Sequence, residues 1–294
     1  MSKEKTLQNC RLCNSPNIQF VLKKDDMHIF KCSRCGVVFL GNDLDTESVR
    51  NLYRYYSSDG FSNYLSPVTR LRYENLLDNF ERYRKNNTII DVGCGAGYFM
   101  LQATNRGWRV EGVEISDEAI KLAEEKGQHV IKGDIVDLDI GKGEYDVAVL
   151  TELLEHAFDP EGIIRRLTYA VRNGGTIYIT TPNYNSLARR LLKDRWDWFH
   201  KEHLFYFTPE ILTVLLKKYK FKIIKIRTKN ISLGSFLKVF KGANSQDAYK
   251  VFERQEHIRH LTEENKLLFV IKQSINFILN IFTLGDTIYI SAEK

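Results

Sequence analysis

The feature that most constrains the fold is a regular alternation of strand and helix patterns that begins at Thr88. The segment YDVAVLTELL (145–154) is almost continuously apolar, which is typical of a parallel strand buried on both faces. Helical segments such as 117–126 and 161–172 lie between the strands, and Ser116, Asp159 and Thr208 are well suited to start the helices that follow them. The alternation predicts an α/β fold, with a doubly wound, Rossmann-like sheet of seven mostly parallel strands and helices on both faces.

The chain divides into three parts. Residues 1–41 contain two cysteine pairs, residues 42–85 a tyrosine-rich connector followed by a helical pattern over 68–85, and residues 86–294 the sheet. Residues 230–284 separate the last two strands and predict a helical insertion. The connector is interpreted as packing against the main domain, with an alternative role as a lid; its candidate covering residues are Tyr55, Tyr56 and Tyr64.

The two cysteine pairs have the spacing of a metal site. Cys10-x-x-Cys13 and Cys32-x-x-Cys35 are separated by 18 residues, within the interval typical of four-thiolate zinc sites. Each pair would occupy two corners of a tetrahedron, so that no corner is left for water. Short strand patterns on either side of the turn 23–26 predict a β-hairpin carrying the pairs. We therefore expect a zinc-ribbon-like module with structural Zn²⁺.

Charge is unevenly distributed. Residues 217–294 contain 15 basic and 7 acidic residues, a net charge of +8, whereas the first 216 carry −2. A basic segment suits nucleic acid, anionic lipid or anionic substrates, and a solvated surface explains it equally well. Without an apolar leader or an apolar run of about 18 residues, the expectation is a soluble, cytoplasmic protein. Segment 267–283 predicts core or homodimer packing, with weak membrane-surface contact as the alternative.

A glycine-rich loop follows the first strand of the sheet. In the sequence DVGCGAG, Gly93, Gly95 and Gly97 let the backbone turn sharply and approach a ligand closely. The spacing matches neither the dinucleotide-binding G-x-G-x-x-G nor the Walker form, so no phosphate cradle is predicted. Asp91 precedes the loop, which favours a cationic or hydroxyl-bearing ligand. Cys94 is interpreted as a small packing residue beside that ligand.

Residues 88–183 resemble the class I S-adenosylmethionine-dependent methyltransferases. The segment IIDVGCGAGYF is similar to the first motif of that family, and acidic residues follow the next two strands at suitable spacing. TELLEHAFDP (151–160) and HKEHLFYFTPE (200–210), behind two cysteine pairs, are similar to a bacterial subgroup. Relatives in that subgroup act on small metabolites, quinones and sugar-derived substrates.

The resemblance implies S-adenosylmethionine as cofactor and a set of residues that would hold it. Glu114 resembles the acidic residue that binds both ribose hydroxyls, which is a sensible bidentate arrangement. Asp134 resembles the adenine-binding position, with Ile115 and Ile135 on either side of the ring. The predicted cofactor set is Asp91, Gly93, Gly95, Gly97, Glu114, Ile115, Asp134, Ile135 and Thr151.

Histidines are the candidates for catalysis. If the acceptor is a hydroxyl, a general base helps to remove its proton, and histidine has a suitable pKa. His156 follows the fourth strand of the predicted sheet, with Glu155 beside it, and His203 lies in a loop that should face the same cleft. The predicted acceptor-binding residues are Asn183, Trp198, His200 and Tyr206.

The leading prediction is O-methylation of a small molecule or of a sugar-derived precursor. One alternative is an RNA or protein methyltransferase that grips its polymer with the cysteine module and the basic C-terminal segment. The absence of Asn-Pro-Pro-Tyr after the fourth strand counts against methylation of nucleic-acid base amines, so nucleic acid is the less favoured partner. The other alternative is a non-enzymatic scaffold, against which the intact cofactor residues argue.

Overall fold

The computed structural model describes residues 6–42, 65–230 and 266–294. Its largest element is a sheet of seven strands, which are β4 (Thr88–Val92), β5 (Arg109–Glu114), β6 (His129–Lys132), β7 (Tyr145–Thr151), β8 (Val171–Pro182), β10 (Lys222–Lys229) and β11 (Thr287–Glu293). Across the sheet these strands lie in the order β10-β11-β8-β7-β4-β5-β6. Strand β11 pairs antiparallel with β10 and with β8, and every other pair of neighbouring strands in this sheet is parallel. The predicted Rossmann-like, mostly parallel sheet is confirmed.

Helices follow most of the strands of this sheet. They are α1 (Pro67–Phe80), α2 (Tyr98–Asn105), α3 (Asp117–Glu124), α4 (Pro160–Ala170), α5 (Leu187–Leu192), α6 (Pro209–Lys218) and α7 (Lys266–Ile281). The predicted caps are present, because the side chains of Ser116, Asp159 and Thr208 each accept a hydrogen bond from a backbone N–H in the first turn. These bonds satisfy donors that a helix start leaves without partners.

Two helix ends differ from the sequence prediction. Helix α1 ends at Phe80 and passes into a 3₁₀ turn over Glu81–Tyr83, instead of continuing to residue 85. Helix α4 ends at Ala170 rather than at Arg172, because the buried, β-branched Val171 adopts extended geometry and pairs with Tyr145 on β7. Strand β8 therefore begins earlier than predicted.

The cysteine-rich segment forms a second sheet. The predicted hairpin is present as β1 (Ile18–Lys24) and β2 (Met27–Cys32), and β3 (Val38–Leu40) extends it. The fourth strand, β9 (Phe205–Tyr206), lies much later in the sequence, between β8 and β10, and pairs with β3. One hydrophobic core continues from Ile29 and Phe39 into the residues around Leu154 and Phe205. The connector tyrosines proposed as a lid lie outside the described residues.

Helix α7 covers the outer edge of the seven-stranded sheet. Asn276 and Asn280, one turn apart, accept hydrogen bonds from the backbone N–H groups of Asn230 and Thr228, at 2.9 Å each. The helix thereby satisfies donors that an edge strand would otherwise expose. Its other face exposes Ile275, Phe277, Ile278 and Ile281. Within the described residues, no helix is both long and apolar enough to span a bilayer.

The start of β4 is anchored by a buried ion pair. Asp146 is fully buried and accepts hydrogen bonds of 2.7 to 3.3 Å from the backbone N–H groups of residues 85–88. Burial alone would raise the pKa of Asp146, but the Arg172 guanidinium and these N–H donors hold it below its ordinary value. The ionised carboxylate thus ties β4, β7 and β8 together.

We predict that Asp146→Asn lowers the free energy of unfolding by about 3 kcal/mol, because Arg172 keeps its buried charge without a counter-ion. Since the folded-state pKa is depressed, the wild-type contribution is present above the unfolded-state pKa and is lost as pH falls through the folded-state value. Urea denaturation at pH 7 measures the difference. Asp139→Asn is the matched control, because Asp139 is exposed and meets Arg166 at 3.6 Å on the surface. An equal effect of both substitutions would contradict the anchoring role of Asp146.

Candidate functional site

The glycine loop lies at the carboxyl edge of the parallel strands, between β4 and α2. Gly93, Gly95 and Gly97 have φ values of +71°, +52° and +74°, in the left-handed region that side chains rarely adopt. A Cβ at Gly93 would lie 2.8 Å from a methyl group of Leu153, and one at Gly97 would lie 2.9 Å from Cβ of Ala123. The loop geometry therefore requires glycine at these positions and leaves bare backbone at the sheet edge.

Glu114 ends strand β5 beside this loop. Its Oε2 accepts a hydrogen bond of 3.0 Å from the Gly95 N–H, and its Oε1 accepts bonds of 2.8 and 3.0 Å from the N–H groups of Ile115 and Ser116. A carboxylate has about four acceptor positions, so roughly one stays available to a ligand in this arrangement. The structure brings Glu114 to the loop as predicted and also gives it a role in holding the loop.

Asp91 is the buried acid of the site. Its side chain is 1% exposed, and its Oδ1 has no hydrogen-bond partner within the described structure. Burial, together with the nearby Glu114 carboxylate, raises the pKa of Asp91 to about 7. A buried acceptor without a partner is costly and needs an explanation. A cationic ligand group in the loop would supply the missing partner and favour the ionised form.

The remaining predicted cofactor residues are distributed less uniformly. Asp134 and Ile115 are half-buried beyond the ends of β6 and β5, and Asp134 Oδ1 accepts a bond of 3.0 Å from the Val136 N–H. Thr151, at the end of β7, is also half-buried. Ile135 differs, because its side chain is 2% exposed and packs in the hydrophobic core. It therefore offers almost no surface to an adenine ring, and only Ile115 of the predicted pair does.

A cluster of two histidines and a glutamate lies beyond the end of β7. The rings of His156 and His203 are perpendicular, with centroids 4.6 Å apart. His156 Nδ1 lies 3.1 Å from the Glu202 carbonyl oxygen, and His203 Nδ1 lies 2.8 Å from the Trp198 carbonyl oxygen. These contacts assign the Nδ1 proton to each neutral ring and direct Nε2 away from the backbone. His156 Nε2 is 3.9 Å from Glu155 Oε1.

All three groups of this cluster favour their neutral forms. Burial lowers the pKa of His156 to about 4, and burial together with His156 and His200 lowers the pKa of His203. Burial and the neighbouring Glu152 raise the pKa of Glu155 well above its ordinary value. Glu155 Oε2 accepts a bond of 2.8 Å from the Thr181 hydroxyl, whereas Oε1 has no partner in the described chain. Both imidazoles of this site are therefore neutral, with a ring nitrogen able to accept a proton.

Sequence reasoning missed Glu152. This residue has a φ of +50°, and its side chain is exposed to solvent although protein groups surround it closely enough to raise its pKa by desolvation. We interpret this combination as a carboxyl group in a concave part of the site. A left-handed conformation at a non-glycine residue is uncommon and is often found at functional sites. The sequence signal was the spacing of Glu152, Glu155 and His156 after a buried strand.

Two of the four predicted acceptor-binding residues are buried and make contacts within the protein. Asn183 is fully buried; its Nδ2 donates to the carbonyl oxygens of Thr283 and Gly285, and its Oδ1 accepts from the Asn185 N–H. Tyr206 is buried in an aromatic cluster with Trp196 and Phe199. Trp198 and His200 are nearer to the prediction. Trp198 stacks on the His203 ring at 5.8 Å, and His200 is exposed beside it.

The four paired cysteines converge, as the spacing predicted. The Sγ atoms of Cys10 and Cys35 are 3.7 Å apart, those of Cys13 and Cys32 are 3.6 Å apart, and the four lie within 4.8 Å of one another. A tetrahedral zinc with Zn–S bonds of about 2.3 Å would separate its sulfurs by about 3.8 Å, so this cluster fits the ion. The histidine cluster, Glu155 with His156 and His203, also has the spacing of potential metal ligands.

The two halves of the cysteine cluster have similar backbone turns. Asn14 and Gly36 follow the second cysteine of each pair with φ values of +54° and +78°, and their N–H groups donate to the carbonyl oxygens of Cys10 and Cys32. Cys32 Sγ also accepts hydrogen bonds from the N–H groups of residues 34 and 35. Donors of this kind stabilise thiolates. Cys94 is remote from the cluster and packs against Gly112 beneath the glycine loop, where burial raises its thiol pKa.

Comparison with known proteins identifies relatives of the sheet domain. Residues 64–226 match a family model described as a methyltransferase domain. Ubiquinone biosynthesis O-methyltransferase of Nitrosomonas europaea is 33% identical over 118 residues, which cover 38% of this chain and 50% of the relative. The enzyme of the same name from Chromobacterium violaceum is 27% identical over 157 residues, covering 50% of this chain and 66% of the relative. The chain thus spans about half to two thirds of these curated relatives.

Solved structures show the same fold at low identity. A SAM-dependent methyltransferase from Archaeoglobus fulgidus superposes with a TM-score of 0.53 at 20% identity, covering 77% of this chain and 93% of the other. Phosphoethanolamine N-methyltransferase 2 of Haemonchus contortus, solved with S-adenosyl-L-methionine, gives 0.52 at 17% identity, covering 85% and 58%. The [4+2]-cyclase SpnF gives 0.53 at 16%, covering 80% and 84%. These likenesses establish the fold, and the cyclase shows that the fold alone does not decide the activity.

We predict that the His156 imidazole stays neutral until pH approaches about 4. Because burial disfavours the charged ring, its proton-dependent chemical shifts should change far below the ordinary histidine range. Two-dimensional NMR of ¹⁵N-labelled protein measures this titration, and the missing signal in His156→Gln assigns it. The tautomer is read from the same spectra, with the proton expected on Nδ1. A midpoint near 6.5 would show that the ring is solvated.

Proposed function

The chain belongs to the methyltransferase-domain family, and on that premise we propose that it transfers a methyl group from S-adenosylmethionine to a hydroxyl group of a small molecule or sugar-derived precursor. The observation that carries the proposal is Asp91, a buried carboxyl group whose Oδ1 has no hydrogen-bond partner among the described residues, next to a loop of three left-handed glycines. The cofactor would place a cationic amino acid group and ribose hydroxyls against such an edge. Asp91, Glu114 and the loop backbone are the groups suited to receive them.

The loop residues act by position and charge. Gly93, Gly95 and Gly97 take positive φ values that a side chain would strain, and a Cβ at Gly93 or Gly97 would crowd Leu153 or Ala123, so glycine lets the backbone make this turn. Glu114 accepts from the Gly95 N–H and so joins the loop to the ribose-binding position on β5. When bound, S-adenosylmethionine supplies a methyl group already activated by its sulfonium. The remaining task of the protein is to orient the acceptor and remove its proton.

The histidine cluster is suited to that second task. A neutral imidazole with its proton on Nδ1 can accept a hydroxyl proton at Nε2, and the structure holds both His156 and His203 in that form. The imidazolium that results would lie in a buried site, where Glu155 Oε1, 3.9 Å from His156 Nε2, is the adjacent acceptor oxygen. Trp198, stacked on His203, offers an aromatic surface for a planar or sugar ring. The names of the curated relatives favour transfer to oxygen.

The cysteine cluster is proposed to hold a structural zinc ion. Cys10, Cys13, Cys32 and Cys35 would provide four thiolates, which fill a tetrahedral coordination sphere and leave no position for a substrate. The cysteine-rich segment, residues 6–42, has few core positions of its own, and a metal would supply part of its folding free energy.

RNA or protein methylation is the second candidate. Strand β10, at the sheet edge, exposes Lys222, Lys225 and Arg227, and desolvation, followed by the nearby charges of Arg227 and Arg82, lowers the pKa of Lys225. A polyanion would be attracted to such a strand. RNA binding that weakens steeply between 50 and about 200 mM salt would favour this candidate. Cofactor binding without any transfer would favour the scaffold.

For the cofactor, we predict that Glu114→Ala weakens S-adenosylmethionine binding by roughly 1–3 kcal/mol, as expected for loss of charge-assisted hydrogen bonds. Asp91→Asn should remove the pH dependence of the affinity. In the wild type, Asp91 must be ionised to bind a cation, so affinity should rise as pH increases through about 7 and fall below it. Isothermal titration calorimetry from pH 5.5 to 8.5 measures both effects. Wild-type affinity in Glu114→Ala would contradict the proposed site.

For the acceptor, we predict that His156→Gln and His203→Gln lower kcat by about 100-fold, as expected for loss of a general base, and leave cofactor affinity unchanged. His129→Gln, at an exposed position on β6, is the matched control. The assay follows a tritiated methyl group from S-adenosylmethionine to a catechol, a sugar nucleotide or a primary amine. Methylation of the amine alone would contradict transfer to oxygen.

The pH profile provides a further check on the same assay. At saturating cofactor, kcat should stay nearly constant as pH falls from 7 towards 5, because the His156 base becomes protonated only near pH 4. KM for S-adenosylmethionine should rise over the same interval, because Asp91 becomes protonated below about 7. A kcat inflection near 6.5 would be inconsistent with a buried histidine base.

A further inference from the structure

We propose that the cysteine module, residues 6–42, is the support of the acceptor loop, residues 196–206, so that metal binding by the four cysteines determines how firmly the catalytic histidine cluster is held. This inference rests on the proposed function for the role of His156 and His203. It goes beyond a structural zinc, because it assigns the module a role in positioning groups on the acceptor side of the sheet domain.

The first connection is a shared sheet. Strand β3 pairs with β9 inside the acceptor loop, with Val38 opposite Tyr206 and Phe39 opposite Phe205. The Leu40 N–H also donates to the Leu204 carbonyl oxygen at 3.0 Å. A two-residue strand such as β9 cannot persist alone, since isolated strand pairs are marginal in water. The conformation of this part of the loop therefore depends on β3, which begins three residues after Cys35.

The second connection is Lys24, at the end of β1. Its ammonium group donates to the carbonyl oxygens of Trp196 and Phe199, at 3.2 and 3.1 Å. Two backbone acceptors at the start of the acceptor loop are thus satisfied by a side chain of the module. Neighbouring Asp26 forms a salt bridge with Lys201, at 2.6 Å, at the surface of the same loop.

The loop in turn holds the histidine cluster. The Phe205 N–H donates to the Glu155 carbonyl oxygen at 2.9 Å, so that β9 fixes the backbone of the segment carrying Glu155 and His156. The carbonyl oxygens of Glu202 and Trp198 accept from the Nδ1 atoms of His156 and His203. Both imidazoles are therefore oriented by loop backbone that contacts the module. Displacement of β3 from β9 would release these constraints.

The cofactor loop has separate supports. The N–H groups of Gly93 and Cys94 donate to the Val113 carbonyl oxygen, and Gly95 donates to Glu114, all within the parallel sheet. Metal loss should therefore loosen the acceptor side while leaving the cofactor side in place. This separation makes the proposal testable without a known acceptor.

The experiment is hydrogen–deuterium exchange on the full-length chain, before and after zinc is removed with a chelator. Metal analysis should first show about one zinc per chain. On removal, peptides covering 196–206 should exchange about tenfold faster or more, whereas peptides covering α3 should be unchanged. Affinity for S-adenosylmethionine, measured by calorimetry, should change by less than about twofold. Two of the three tryptophans, Trp196 and Trp198, lie in the loop, so a red shift of the emission provides an independent reading.

A second variant guards against general unfolding of the metal-free chain. Lys24→Met keeps all four cysteines and removes the two bonds to the loop, so it should retain zinc and still accelerate exchange over 196–206. Lys31→Met is the matched control, because Lys31 is an exposed lysine of the same module, on β2. Its exchange should equal that of the wild type.

The outcomes separate this inference from the proposed function. Unchanged exchange over 196–206 in both zinc-free protein and Lys24→Met would overturn the inference, even if the cofactor binds. Absence of zinc from the purified chain would overturn it as well. Faster loop exchange in a chain that binds no S-adenosylmethionine would support the mechanical connection and reject the proposed function.

Discussion

The site depends on one constraint, the parallel pairing of β4 with β5 and β7. In parallel strands the carboxyl ends lie at the same edge, so Asp91, Glu114 and Thr151 are brought together although 60 residues separate the first from the last. The Asp146 carboxylate holds the opposite end of this arrangement by binding the backbone before β4 and the Arg172 side chain. The cofactor loop is the connection that this geometry leaves between β4 and α2.

The site also contains several buried titratable groups. Four side chains of the site are largely removed from water. Burial raises the pKa of Asp91 and Glu155 and lowers the pKa of His156 and His203, so that each group favours its neutral form. Groups with shifted pKa values are more common at functional sites than elsewhere, because electrostatic interactions are stronger where water is excluded. Under the proposed function, the charge that enters at Asp91 is the cationic group of the cofactor, and the charge that enters at the histidine cluster is the proton of the acceptor. Both groups lie at the same edge of the sheet.

The hydrophobic core explains why the module and the sheet domain are not independent. Buried residues continue without interruption from Ile29 and Phe39 to Leu154 and Phe205. Lys24 and β9 add directional bonds across the same boundary. A short cysteine-rich hairpin gains more burial by packing on a larger domain than it could achieve alone. The larger domain gains a backbone partner for a loop that carries His203 and contacts His156.

The sequence alone determined the α/β sheet, the glycine loop after its first strand and the convergence of the two cysteine pairs on one site. These are local or periodic features: alternating apolar segments predict buried strands, Ser116 and Thr208 predict helix starts, and a C-x-x-C spacing predicts two ligand positions. The adjacency of Glu155 and His156 was equally visible, because neighbours in sequence remain neighbours in the fold.

Only the tertiary structure decided which of the candidate residues are available to a ligand. Asn183, Ile135 and Tyr206 have plausible chemistry in sequence, yet packing and hydrogen bonds from distant segments bury all three. The pairing of β3 with β9 joins residues more than 160 positions apart and has no local signal, because a two-residue strand has no periodicity. The low pKa of His156 also comes from burial by distant segments. Local chemistry is written in the order of residues, whereas solvent exposure is a property of the whole packed chain.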